Sequence, residues 1–242
     1  MRSRLTSFFS AFVAALAVLW AAGGARAQSL AIEPVVVQLA PGQMAATLTL
    51  VNQSPAESAF QVRAFAWRAD DAGMDDLTPT DRVVLSPPLG TIAPNQRQLI
   101  RVVLRDAPRD REATYRIWID QIPPAGEPGS VRVALRLSIP IFALPAQRVA
   151  PDLGWRLTRS GDTLVLTASN SGTRHQTVRN LVVTAPGGAV LKAQSNSSPY
   201  VLAGGLRRWV FPMPAQPPAS IRLTAATGDG PLETAVPLTP AP

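Results

Sequence analysis

The sequence predicts an all-β protein built from two sandwich domains, and two observations carry that prediction. Alternating apolar segments bounded by Pro, Gly, Asn, Asp or Ser recur along the chain, and no stretch after residue 27 keeps a helical period. A stretch framed by Pro145 and Pro151 then separates two series of such segments, because proline cannot continue a central strand. We therefore expect two β-sandwiches joined by a short, stiff linker, with a binding cleft between them.

The first 27 residues have the features of an export signal. Arg2 and Arg4 precede an apolar run from Phe8 to Trp20, and small residues follow up to Ala27. The run is shorter than the ~20 residues that a membrane-spanning helix needs, and no second such run follows it in the sequence. We expect cleavage before Gln28 and no stable membrane insertion.

The predicted strands divide into two domains, residues 28–146 and 147–242. Seven segments fill the first domain with the spacing of an immunoglobulin-like sandwich, and a similar series fills the second. The first series comprises residues 30–39, 45–52, 58–68, 82–85, 98–104, 114–122 and 131–144. The second comprises residues 154–159, 163–169, 176–184, 189–192, 206–211, 220–226 and 232–236.

The composition argues against an enzyme and against a metal site. The chain has no cysteine and one histidine, His175. The residues needed for thiol catalysis are therefore missing, and those needed for a zinc site or a Ser-His-Asp triad are few. We expect His175 to be exposed and to have no catalytic role, and we expect the protein to need no cofactor. The carboxylates of Asp70, Asp71, Asp75 and Asp76 crowd a hairpin tip, but their spacing lacks the alternating ligands of a calcium loop.

The charge pattern does not favour a nucleic-acid partner. Three of the 23 basic residues lie in the signal, which leaves 20 against 16 acidic residues, scattered without a basic run.

Trp67 and Trp118 fall at strand positions, where we expect an aromatic ring buried between the two sheets of the domain.

A series of short motifs runs through residues 29–146 in a definite order. Their order and spacing resemble those of the periplasmic chaperones of the chaperone/usher pathway of pilus assembly, whereas the second domain matches only in outline. That resemblance implies an L-shaped pair of immunoglobulin-like domains, a periplasmic location, and pilin subunits and an outer-membrane usher as partners. The motifs are Ser29 to Pro34, Ala40 to Gly42, Leu48 to Asn52, Ala66-Trp67, Ser86 to Pro88, Ile92 to Pro94, Tyr115 to Ile117, Ile122 to Pro124 and Val131 to Pro145.

The resemblance also implies that the last strand of the first domain is lent to a pilin that lacks its own last strand. Four aliphatic side chains share one face of that strand, because they alternate with Arg132, Ala134 and Arg136. Alternation alone fits a strand that lines its own domain core equally well. An exposed strand also leaves self-association of the free protein open. The four implied donor residues are Val131, Val133, Leu135 and Leu137.

Two charged sites are implied by the same resemblance. Conventional members hold the C-terminal carboxylate of the subunit with an arginine and a lysine, and this sequence has Val37 and Pro140 at those places. Residues 115–120 and 138–142 resemble the archaic branch of the family, in which Arg116 is the implied anchor. The alternative is that Arg116 pairs with an acid on the exterior of its sheet. A charge contact between the domains is implied for Arg101, Asp120 and Asp229.

Two other functions fit parts of the sequence. A two-domain exported adhesin or pilus subunit would use the same sandwich fold, but a pilin is expected to have an incomplete sandwich and a detached donor segment. An exported hydrolase would need convergent carboxylates, and the glutamates lie on different strands and turns.

Overall fold

The structure is a computed structural model that describes residues 30–123, 134–147, 149–194 and 198–240. Every regular element within these ranges is a β-strand. Ten strands precede the linker: β1 (Leu30–Glu33), β2 (Val37–Leu39), β3 (Ala45–Asn52), β4 (Ser58–Ala69), β5 (Asp75–Pro79), β6 (Val83–Ser86), β7 (Leu89–Ile92), β8 (Arg97–Leu104), β9 (Ala113–Ile122) and β10 (Arg136–Ala143).

These ten strands form two sheets that enclose one hydrophobic core. One sheet has the order β1-β3-β8-β6, and the other has the order β2-β10-β9-β4-β5 with β7 paired to β4. The period of two places Tyr115, Ile117 and Ile119 of β9 in the core, while Ile100 and Val102 of β8 reach it from the opposite sheet. Each such aliphatic side chain contributes about 1.5–3 kcal/mol on burial.

Eight strands form the second domain: β11 (Leu153–Ser160), β12 (Thr163–Asn170), β13 (Gln176–Thr184), β14 (Val190–Leu191), β15 (Tyr200–Val201), β16 (Leu206–Pro212), β17 (Ser220–Thr227) and β18 (Gly230–Thr239). They are joined in the order β14-β13-β17-β18-β11-β12-β16, with β15 paired to β13. Leu157, Leu166 and Leu223 are fully buried in a second hydrophobic core, to which strands near both ends of this order contribute side chains.

The structure divides the predicted strands more finely than the sequence does. The predicted first strand is two strands, because β1 pairs with β3 of one sheet and, after Pro34, β2 pairs with β10 of the other. Strands β5, β7 and β15 were not predicted, since they are short or lack a run of apolar residues. Strand β10 begins at Arg136, and Val131 and Val133 of the predicted donor segment lie outside the described residues.

Candidate functional site

The first half of β10 forms an open edge of its sheet. Residues 136–143 all pair with β9, from the Arg136 and Asp120 pair to the Ala143 and Ala113 pair. On the other side, β2 pairs in parallel only with Ile141, Phe142 and Ala143. Within the described part of the chain, residues 136–140 therefore have a strand on one side only. Their other side offers backbone groups to a further strand.

The two described donor residues differ in their surroundings. The backbone N–H of Gln121 donates to the carbonyl oxygen of Leu135 at 2.9 Å, so the pairing with β9 reaches that residue. The Leu135 side chain is 37% exposed, whereas Leu137 is partly buried against the core of the first domain. Leu135 is therefore the available apolar side chain, and Leu137 has a contact within its own domain that the prediction did not include.

Arg116 lies on the outer face of the same sheet, directly opposite Pro140 in the register of β9 and β10. Its guanidinium carbon lies 3.8 Å from the centroid of the Trp67 ring, and its Nη2 lies 3.6 Å from Oδ2 of Asp75. The side chain is 12% exposed. Burial lowers the pKa of Arg116, and the negative charge of Asp75 partly offsets that effect.

Asp75 connects this arginine to the second domain. Nη2 of Arg207 donates to Oδ1 of Asp75 at 2.6 Å, and Nη1 of Arg207 donates to the carbonyl oxygen of Gly73 at 2.9 Å. The Arg207 guanidinium also donates to the carbonyl oxygen of Tyr200. The Arg207 side chain is almost fully buried. A β-carbon at Gly73 would come within 3.1 Å of the Arg207 backbone, so the close approach of the domains requires glycine there. We call Trp67, Asp75, Arg116 and Arg207 the arginine corner.

The arginine corner has two positive charges and one negative charge. The Oδ1 atom of Asp75 is bound tightly by Arg207, while the contact of Oδ2 with Arg116 is longer than a hydrogen bond. No hydrogen bond of the Arg116 guanidinium to another described residue is seen. A poorly solvated guanidinium with unused donors is a favourable partner for a further carboxylate.

The predicted charge contact among Arg101, Asp120 and Asp229 is wrong. Asp120 is bound by Arg63, whose Nη2 donates to Oδ2 at 2.7 Å, and by Nε of Arg136. Arg101 lies on β8 beside the inward-facing Ile100 and Val102, so it points outward from the opposite sheet. Asp120 points outward from its own sheet, and the whole sandwich separates the two side chains.

Asp229, the third member of that predicted contact, has a partner within its own domain. Its Oδ2 atom accepts a hydrogen bond from Nε2 of Gln176 at 2.6 Å. Among the described residues, the arginine corner therefore supplies a contact between an acid of the first domain and an arginine of the second. Asp75 was identified from the sequence only as part of an aspartate-rich hairpin tip, and no periodic pattern marks Arg207 as an interface residue.

His175 is buried at the domain junction, which corrects the expectation of an exposed residue. Its backbone N–H donates to Oε2 of Glu112 at 2.8 Å, its Nδ1 lies 2.8 Å from the same oxygen, and its ring stacks on Phe142 at 3.7 Å. Polar neighbours in the sequence suggested exposure, but the pairing partner lies 63 residues away.

The tryptophans also differ from expectation. Trp67 is buried between the domains rather than between the sheets, in a cluster with Phe142, Tyr200 and Leu202. Trp118 lies on the outer face of the sheet, where the Arg136 guanidinium carbon is 4.2 Å from its ring centroid. Both residues alternate with core residues of their strands and therefore lie on the outer face of the sheet. The alternation does not show that the second domain covers Trp67.

A cavity of about 550 Å³ lies between the domains, on the side of Tyr115. Arg82 and Arg111 of the first domain and the Gly204–Gly205 turn of the second line it. Burial raises the pKa of the Tyr115 hydroxyl. Among the described residues, no group of three potential metal ligands is found, and no helix is long and apolar enough to cross a membrane.

Comparison with known proteins gives a family match in the first domain. Residues 29–148 match the family model described as the pili and flagellar-assembly chaperone, PapD N-terminal domain. The chaperone protein FaeE of Escherichia coli is 29% identical over 151 residues, which is 60% of this chain. The match spans 56% of the length of FaeE.

Solved structures share the fold over almost the whole chain. One is a chain of the CsuC–CsuE chaperone–tip adhesion subunit pre-assembly complex from archaic chaperone-usher Csu pili of Acinetobacter baumannii. It has a TM-score of 0.64 and 19% identity, and the match covers 88% of this chain and 100% of that chain. A chain of the Salmonella enterica SafA pilin–SafB chaperone complex has a TM-score of 0.61 and 21% identity, with 88% and 99% covered. The two-domain immunoglobulin-like sandwich fold is thereby confirmed.

Proposed function

We propose a function from one premise: this chain belongs to the family of pili and flagellar-assembly chaperones. The chain is a periplasmic chaperone that binds unfinished pilus subunits by donating a strand and delivers them to an outer-membrane usher. It performs no catalysis and needs no cofactor. Residues 1–27 are its signal peptide, 28–146 its subunit-binding domain and 147–242 its second domain. Residues 115–120 and 138–142 favour the archaic branch.

The open edge of β10 is the observation that carries this proposal. Among the described residues, positions 136–140 of this strand pair with β9 alone, and the preceding Leu135 is exposed to solvent. A segment of this kind has the geometry to complete an incomplete sandwich in another protein. A pilus subunit would instead lack its own last strand, whereas here β10 is present and paired. The proposed donor side chains are Val131, Val133, Leu135 and Leu137. Leu137 already packs on the core of its own domain, so the other three would together contribute about 4–9 kcal/mol on entering a groove, before ordering costs.

Arg116 is the proposed anchor for the C-terminal carboxylate of the subunit. It lies across from Pro140, the position at which conventional members carry their lysine, so its guanidinium can take over the role from the neighbouring strand. Opposite residues of paired strands have their β-carbons about 5 Å apart, which is within reach of a long side chain. Within the described part of the chain, the Arg116 guanidinium donates no hydrogen bond, which supports this assignment.

Replacing Arg116 tests the anchor. The protein and the pilus subunit encoded nearest to it in its genome would be co-expressed, and the complex recovered through the chaperone. We expect Arg116→Ala to weaken subunit binding by roughly 2–5 kcal/mol. Arg116→Lys should restore binding only in part, because a planar fork binds a carboxylate through two parallel hydrogen bonds and an ammonium does not.

Arg101→Ala is the matched control, since Arg101 is an exposed arginine on the opposite sheet. It should bind the subunit as well as the wild type does. Equal subunit binding by wild type and Arg116→Ala, with both proteins folded, would remove Arg116 from the site.

A further inference from the structure

The contacts of Asp75 suggest a role for the second domain in subunit binding, and this inference rests on the proposed role of Arg116. Asp75 is the one residue of the arginine corner that contacts both guanidinium groups. Its Oδ1 atom accepts a hydrogen bond at 2.6 Å from Arg207 of the second domain. Its Oδ2 atom faces Arg116 of the first domain.

Arg207 has no freedom to bind a ligand itself. Its guanidinium donates to Asp75, to the carbonyl oxygen of Gly73 and to that of Tyr200, and its side chain is 3% exposed. It is therefore a fixed point of the second domain. Through two of these bonds it holds the turn at Gly73 and the carboxylate of Asp75 against the interface.

Arg116, by contrast, is held loosely. Its guanidinium carbon lies 3.8 Å from the ring centroid of Trp67 and 5.9 Å from that of Tyr200, and it has one ion pair at 3.6 Å. Its position therefore depends on ring faces and on the electric field of a single carboxylate. Without that carboxylate, Arg116 and Arg207 would face each other as like charges in a poorly solvated corner, where repulsion is stronger than in water. The Asp75 carboxylate thus keeps the Arg116 guanidinium against the Trp67 ring.

We propose that Asp75, fixed by Arg207 of the second domain, is a positioning residue that holds the Arg116 guanidinium where it binds the C-terminal carboxylate of a subunit. The second domain thereby takes part in subunit binding without touching the carboxylate. Capture of the subunit terminus then depends on the contact between the domains.

The test uses two synthetic peptides that copy the last strand of the pilus subunit encoded nearest to this chain. One peptide ends in a free carboxylate and the other in a carboxamide. Binding of both to the full-length protein gives the increment in affinity due to the carboxylate. We expect Asp75→Asn, which retains an oxygen acceptor for Arg207, to lower that increment by roughly tenfold while leaving amide-peptide binding unchanged.

Asp76→Asn is the matched control, because Asp76 is the exposed neighbour on the same strand; it should retain the full increment. Arg207→Lys, which keeps the charge but loses the planar fork, should lower the increment in the same way. An equal loss for both peptides would show that Asp75 is merely structural, and an unchanged or larger increment would likewise overturn the proposal. If the wild type does not distinguish the two peptides, the Arg116 anchor fails as well.

Discussion

At the residue scale, the outer face of the sheet is organised by arginines stacked on aromatic rings. Arg116 lies over Trp67, and Arg136 lies over Trp118. A guanidinium stacks well on an indole face because it is planar and weakly hydrated. The neighbouring acids differ in their contacts: Asp75 lies 3.6 Å from Arg116, beyond hydrogen-bond length, whereas Asp120 is bound by both Arg63 and Arg136.

Asp120 gives a pH-dependent contribution to stability. Burial alone would raise its pKa, but hydrogen bonds from Arg136 and Arg63 outweigh that effect and lower it. A carboxylate whose pKa is lower in the folded state stabilises the protein above its unfolded pKa of about 3.9, and the contribution disappears as the pH falls through the folded pKa.

We therefore expect Asp120→Asn to destabilise the protein at pH 7 by less than about 1 kcal/mol, because both arginines are well exposed. Urea unfolding of wild type and variant at several pH values measures the difference. The two free energies of unfolding should converge below the folded pKa of Asp120. A constant difference at every pH would mean that the ion pairs do not produce the effect.

At the element scale, the two ends of β10 differ in their surroundings. Its last residues, Ile141 to Ala143, are covered on both sides by β9 and β2, and their side chains are buried. Of the strands that the structure describes, β9 alone lies beside its first residues, and the preceding Leu135 is exposed. The sheet therefore anchors one end of the strand firmly and leaves the other end available to a partner.

Two leucines on either side of Arg136 test whether the two ends of this segment act differently. Leu135→Glu should abolish subunit binding and leave the free energy of unfolding nearly unchanged, because a charge on an exposed strand stays solvated but cannot enter an apolar groove. Leu137→Glu should lower the free energy of unfolding by roughly 1–3 kcal/mol, because this side chain packs on the core.

Thermal unfolding and recovery of the co-expressed subunit measure the two effects in the same preparations. Alanine at Val84, an exposed position on the opposite sheet, is the control and should change neither property. Loss of the thermal transition in Leu135→Glu would identify Leu135 as a core residue instead of a donor.

At the scale of the whole molecule, the two sandwiches meet through a small aromatic core of their own. Trp67 and Phe142 come from the first domain and Tyr200 and Leu202 from the second, with ring centroids 5.1–5.9 Å apart. The buried Glu112 and His175 pair and the arginine corner flank these rings. Apolar burial beside bonded polar groups favours one fixed relation between the domains.

Tyr200→Ala tests how far this interface joins the domains in unfolding. The ring contacts Trp67, Phe142 and His175 of the junction, so its removal should lower interface stability by about 3 kcal/mol. In scanning calorimetry we expect the wild type to give one transition and the variant to give two. Val190→Ala, at an exposed site of the second domain, should retain the wild-type profile. A single transition in Tyr200→Ala would show that the linker, rather than these rings, couples the domains.

The sequence by itself determined the longer strands and the alternation of core residues along them. Strands β3, β8, β9, β12 and β17 follow from local alternation, because a side chain's direction along a strand is set by its own backbone, and the fold class follows from their number and spacing. Local alternation put Arg116 and Trp118 on the same face of β9, but it did not show that this is the outer face.

Only the tertiary structure decided which outward faces meet. His175 and Glu112 are 63 positions apart, and Asp75 and Arg207 are 132 apart, so no local pattern links them. The predicted contact of Arg101 with Asp120 was wrong for the same reason, since strand period fixes a direction but not which sheet carries the residue. Contacts across a domain interface depend on how two finished surfaces fit, and the pattern along one strand contains no information about the other surface.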